Sequence, residues 1–226
     1  MDAPFSPLFE PTLEDIRLER LAPRYPLHRP LPLTTLSITS SDPDQPCNLL
    51  LSALSTSLSS LIELDLRLEG DSVDTTALVA FIVAAAPTLQ RLSISLSDRT
   101  YEVVYPSLCL CNSLAFFSQC LGASSELGEF FNALPPGVKS VILDGHDWET
   151  VLNGVCIFCV GLVEDAKCAG LETIRTADKI LLEVDRMFDE GEDILVKLWE
   201  ERGISFVDLQ GVRKRPELAL DRDASE

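Results

Sequence analysis

Leu61-Ile-Glu-Leu64-Asp-Leu66 and Leu89-Gln-Arg-Leu92-Ser-Ile94 follow one formula. Both are aliphatic at the first, fourth and sixth positions, and they begin 28 residues apart. A unit recurring at such a period marks a repeat architecture, in which each unit buries its apolar face on its neighbours. Leu64 and Leu66 alternate with Glu63, Asp65 and Arg67, as in a strand buried on one face only. The formula returns at Leu33-x-x-Leu36-x-Ile38, Val138-x-x-Val141-x-Leu143, Leu171-x-x-Ile174-x-Thr176 and Ile204-x-x-Val207-x-Leu209. A weaker copy stands at Leu13-x-x-Ile16-x-Leu18.

The stretches between these units read mostly as helices. Asn48 to Leu58 places Leu50, Leu51, Leu54 and Leu58 on one face. Asp74 to Ala86 is apolar nearly all round, which predicts burial, and Pro87 stops it. Ser113 to Leu134 has helical spacing, divided in two at Gly122 to Ser125. Asp147 to Cys168 is a helix loosened near Gly154 and Gly161, and Asp147 is its expected cap. Glu183 to Arg202 is one amphipathic helix ended by Gly203. Residues 97–112 read as an irregular insertion, with a degenerate strand at Tyr105 as the alternative. Prolines at 23, 26, 30 and 32 make 22–32 an extended connector.

Alternating strands and helices imply parallel strands. Stacked in chain order, they form one sheet with the helices on its other side. Helices are wider than strands, so the stack curves and the strands line a concave face. The expected architecture is therefore an α/β solenoid with irregular repeats over residues 12–211. A Pro-rich segment, 1–11, precedes it, with Phe5, Leu8 and Phe9 folded over the first strand as a lid. Residues 212–226 are charged in both signs and read as a disordered tail.

These units resemble a leucine-rich-repeat protein. Their spacing is similar to the ribonuclease-inhibitor-like class, and the loose repeats with Pro-rich joints look like those of fungal F-box-associated proteins. The resemblance implies a protein-binding module related to the substrate receptors of ubiquitin ligases. No residue carries the F-box itself: only eleven residues precede Thr12. The family also places Asn or Cys three residues past the last aliphatic position, where it ties adjacent turns together. Here those places hold Ser41, Glu69, Ser97, His146, Lys179 and Val212. Without an amide ladder, the backbone of the turns must find Ser or Asp side chains, or water.

Composition narrows the function. A hydrophobic fraction of 46% suffices for a sizeable core. A formal net charge of −18 argues against nucleic acid and against anionic membrane surfaces, whereas a basic protein partner is compatible with it. The longest wholly apolar run, Ala77 to Ala86, is too short to span a bilayer. Seven cysteines, an odd number with no secretory leader in view, read as free thiols in an intracellular setting, cytoplasmic or nuclear.

The residues flanking the inner aliphatics would form the concave surface. Those expected to bind a partner are Glu63, Asp65, Arg67, Arg91, Asp144, Arg175, Phe206 and Asp208. No cofactor or metal is expected. The glycines form no phosphate cradle, and Cys168 and His146 do not complete a zinc pattern around Cys156-Ile-Phe-Cys159. That Cys-x-x-Cys pair carries the alternative reading, a thiol-dependent enzyme. It lies mid-helix among apolar residues, where a buried core pair is the simpler account.

Overall fold

The computed structural model describes residues 33–40, 51, 55–68, 73–96, 98–121, 133–145, 147–164, 168–187 and 194–214. The expected lid, the weak unit at Leu13, the Pro-rich connector and most of the Asn48 helix lie outside them. Seven parallel strands run in chain order through one sheet: β1 (Thr35–Ser40), β2 (Glu63–Leu68), β3 (Arg91–Leu96), β4 (Phe116–Leu121), β5 (Ser140–Gly145), β6 (Thr173–Thr176) and β7 (Ser205–Asp208). A two-residue strand, β8 (Arg213–Lys214), closes the end antiparallel to β7. Thus 213–214, assigned above to the tail, belong to the sheet.

The entry to each strand repeats one bonding pattern. The Thr34 carbonyl accepts from the N–H groups of Ile62 and Glu63, Ile62 from Gln90 and Arg91, Gln90 from Ala115 and Phe116, and Ala115 from Lys139 and Ser140. Lys139 then takes Glu172 and Thr173. One carbonyl per turn therefore fixes the register of the next strand before the ladder begins.

Inward-facing side chains form two rows. The first is Leu36, Leu64, Leu92, Phe117, Val141, Ile174 and Phe206, all at most 1% exposed. At the next inward position stand Ile38, Leu66, Ile94, Gln119, Leu143, Thr176 and Asp208. Among the described residues five helices pack on that face: α1 (Thr75–Ala85), α2 (Asp98–Leu108), α3 (Trp148–Glu164), α4 (Asp178–Met187) and α5 (Ile194–Arg202), with a short 3-10 turn at Ser55–Ser60. Asp74 caps α1 by accepting from Thr76 and Ala77 N–H at 2.9 and 3.2 Å. Asp147 caps α3 as expected, through the Thr150 N–H at 3.0 Å.

Several expectations are corrected. Residues 98–108 form a full helix rather than an irregular insertion. The return to the sheet follows at once, so Phe116–Leu121, expected to be helical, is β4. The span 183–202 holds two helices rather than one, and α3 is continuous through Gly154 and Gly161. Helix α1 buries one face, through Leu78, Phe81, Ile82 and Ala85, and leaves Val83 exposed.

The last strand is also slipped by one residue. Ile174 pairs with Phe206 and Thr176 with Asp208, so Phe206 faces the core and Val207 faces out. Gly203 takes the place that Leu171 holds one unit earlier. With φ +68 it ends α5, its N–H donating to Trp199 O and that of Ile204 to Leu198 O. A one-residue slip sends every side chain of a strand to the opposite face.

Two devices replace the missing amide ladder. Ser60, Thr88 and Ser113 stand just before Leu61, Leu89 and Leu114, and each reaches back to the preceding turn. Ser60 Oγ donates to Leu33 O at 3.0 Å and Ser113 Oγ to Pro87 O at 3.2 Å, while Thr88 Oγ1 lies 3.4 Å from Leu58 O. Between β3 and β4 the buried Tyr101 hydroxyl takes over. It donates to Cys120 O at 2.7 Å and accepts from Leu96 N–H at 3.0 Å. The expected recourse to side-chain oxygens is met by serine, threonine and a tyrosine.

Candidate interaction surface

The sheet face opposite the helices is the candidate site. Its outward rows are set by the parallel register. Glu63, Arg91, Phe116, Ser140, Thr173 and Ser205 stand side by side in one row, and Asp65, Ser93, Ser118, Ile142, Arg175 and Val207 in the next. Most are half-buried against each other, and Arg67, Arg91 and Asp144 are exposed.

The expected charged residues of β2 and β3 lie together, already paired. Glu63 Oε1 is 3.6 Å from Arg91 Nε, and the Arg91 guanidinium lies over the Phe116 ring at 4.4 Å. Asp65 Oδ2 is 3.3 Å from Arg67 Nε and accepts from Ser37 Oγ at 3.3 Å. The Glu63–Arg91 pair is open to solvent and is worth only about 0–1 kcal/mol, whereas Asp65 is part-buried, with its Oδ1 left without a hydrogen-bond partner. A partner can exchange the open pair at small cost, which suits selection by charge better than rigid anchoring.

Farther along, Asp144 is exposed at the end of β5 and accepts from Gly145 N–H at 2.8 Å. Arg175 is committed internally. Its Nε donates to Asp208 O at 3.0 Å and its Nη2 to Leu209 O at 2.6 Å, clamping the turn after β7. Phe206 and Asp208 are not on the surface at all, being 1% and 3% exposed. Val207 occupies the outward place that Phe206 was expected to hold.

Missed at the sequence level were Phe116, Ser118 and Cys120 of β4. The signal was present as Leu114-x-x-Phe117-x-Gln119, with a buried glutamine at the sixth position concealing it. Gln119 Nε2 donates to the Tyr105 hydroxyl at 2.7 Å, while its Oε1 has no partner. The surface is thus charged and self-paired on β2–β3, and aromatic or aliphatic on β4–β5 through Phe116 and Ile142.

The Cys156–Cys159 pair lies within α3, both residues buried. Burial pushes both thiols above the ordinary cysteine value, and at Cys159 the neighbouring Cys156 adds to the effect. A thiol kept protonated is a poor nucleophile, which weighs against the thiol-enzyme reading. Among the described residues no group of three or more His, Cys, Asp or Glu is placed to hold a metal ion, and no helix is long and apolar enough to cross a membrane.

No family model matches this chain, and no curated protein matches it in sequence. Among solved structures it is similar to the leucine-rich repeat-containing protein LegL7 from Legionella pneumophila. The identity is 14% over 84% of this chain and 88% of that one, with a TM-score of 0.36.

Proposed function

We propose that the chain is a non-enzymatic protein-interaction module that binds a protein partner on the helix-free face of its sheet. The observation that carries this reading is the single register-locked sheet, whose outward rows offer exchangeable charges beside Phe116 and Ile142. Interfaces gain affinity from a few apolar or aromatic anchors and selectivity from surrounding charge. Glu63, Asp65, Arg67, Arg91 and Asp144 supply the charge. Arg175 acts from within, by holding the turn after β7. The net charge of −18 favours a basic partner. The free thiols of Cys109, Cys111, Cys120, Cys156, Cys159 and Cys168 support an intracellular setting.

Photo-crosslinking tests the reading. A crosslinker at Ser93 or Ile142 captures a defined partner from native cells, whereas one at Val83 on the helical side does not. The double reversal Asp65→Arg with Arg91→Glu abolishes that capture. Equal capture from Val83, or capture that survives the reversal, contradicts the proposal.

A further inference from the structure

The last strand of the parallel sheet is not left open. After β7 the chain turns back through Leu209 to Val212 and lays Arg213 and Lys214 antiparallel against Val207 and Phe206. Many contacts specify this short return. Gly211 sits at φ +90, a conformation that side-chain-bearing residues rarely adopt. Its N–H donates to Asp208 O, and Asp208 N–H donates to Val212 O. The Asp208 carboxylate, buried in the row where four of the six earlier strands carry Ile or Leu, accepts from Val212 N–H at 2.8 Å. Arg175 clamps the same turn from β6, and the Arg213 guanidinium lies over the Trp199 ring at 4.7 Å. A core position has been given up to an aspartate in order to build this hairpin.

The strand that results is two residues long and wholly cationic. Short, charged strands, lysine above all, are how proteins blunt a sheet edge that would otherwise pair with another chain. We propose that the β7 edge is a strand-addition surface held shut by β8, and that the occupant it takes when β8 is released is the β7 edge of a second copy of this chain. Two features of the fold favour that occupant. The edge already accepts an antiparallel strand, in β8. A twofold axis through the edge presents β7 antiparallel to β7, so one surface serves both copies. The high negative charge opposes the pairing, and salt screens that opposition.

Two full-length variants open the edge differently. Gly211→Val forbids the turn, and Arg175→Met removes its clamp while leaving β8 intact. Gly203→Val places the same strain at the end of α5, two residues before β7 begins, and is the control for backbone strain outside the β7–β8 turn. Each is checked for folding by circular dichroism, then followed by sedimentation velocity over a concentration series at low and high salt. The expected result is an increase of about twofold in mass with concentration for Gly211→Val, stronger in high salt. Arg175→Met follows in the same direction, and the wild type and Gly203→Val stay unchanged. Amide exchange at Phe206 and Asp208, whose N–H groups face the edge, slows again as the Gly211→Val dimer forms. The proposal is overturned if either edge variant is folded yet sediments as the wild type at every concentration and salt. It is also overturned if Gly203→Val associates equally.

Discussion

The first three strands and the last four solve the same stacking problem with different materials. From β1 to β3 the spacing is a constant 28 residues, the two inward rows hold only Leu and Ile, and Ser60 and Thr88 tie each turn to the one before. From β4 to β7 the spacing varies, and the second inward row admits Gln119, Thr176 and Asp208. After Ser113 at the β4 entry, glycines replace the hydroxyl residues, with Gly137 and Gly170 standing before Val138 and Leu171. The register survives both regimes, because the carbonyl that receives two N–H groups at the entries to β2 through β6 belongs to the backbone, and at β7 the Glu172 carbonyl still receives one, from Ser205. What changes is the filling of the core. Both inward rows are aliphatic in the first half, whereas the second half admits buried polar groups and close backbone approach.

The largest effect expected from this contrast is in the core. Leu92→Ala, at a fully buried site of the regular half, should lower unfolding free energy by about 2–5 kcal/mol in denaturant titration. Gln119 should answer differently. Its Oε1 lacks a partner, so replacing it together with its partner, as Gln119→Leu with Tyr105→Phe, should leave stability near the wild type or above it. Each single change should fall below the double, because it breaks the Gln119–Tyr105 hydrogen bond while keeping one of its polar groups in the core. A double variant several kcal/mol less stable than the wild type would show that this pair is needed rather than tolerated.

Close approach gives the next effect. A methyl at Gly145 would meet Leu121 O and Val151 Cγ2, both at 2.7 Å, whereas one at Gly137 meets nothing nearer than 3.6 Å. Gly145→Ala should therefore cost about 1–3 kcal/mol. Gly137→Ala should be within about 0.5 kcal/mol of the wild type, as is usual for an uncrowded surface site. Equal costs at the two positions would remove the claim that the β4–β5 joint is the tight one.

Charge effects are smaller. A double-mutant cycle on Glu63 and Arg91 should give a coupling of about 0–1 kcal/mol that shrinks with added salt. At the cap of α3, the Thr150 hydroxyl and then its N–H hold Asp147 below the ordinary carboxylate value. A lowered folded pKa adds stability above the unfolded value, ~4, and that contribution fades as pH falls through the folded pKa. The stability difference between wild type and Asp147→Ala should accordingly be constant near neutrality and narrow only below pH ~4. A difference that widens on acidification would reverse the assigned sign.

Legibility in the sequence follows the same division. Strands β1, β2, β3, β5 and β6 were readable because their triplets are aliphatic or end in threonine. Strand β4 was lost to Phe116-Phe117 and the hidden Gln119, whose neighbours mimic helical spacing. At β7 the strong residues Ile204, Val207 and Leu209 suggested one register, while Gly203 at the end of α5 imposed another. Periodicity reports where apolar residues recur. It does not report that a tyrosine hydroxyl or an arginine clamp has made a buried polar residue acceptable. The candidate surface was legible to the same extent: β2 and β3 in full, the aromatic strip of β4 not at all, and β7 inverted.

The continuity of the sheet through residues 116–121 is the point on which the surface depends. Backbone NMR of isotope-labelled protein tests it directly. The account predicts cross-strand contacts from the Phe116–Gln119 amides to Arg91–Ile94 on one side and to Ser140–Leu143 on the other. Helical contacts between residues three apart across 113–121, with none reaching Val141, would contradict it.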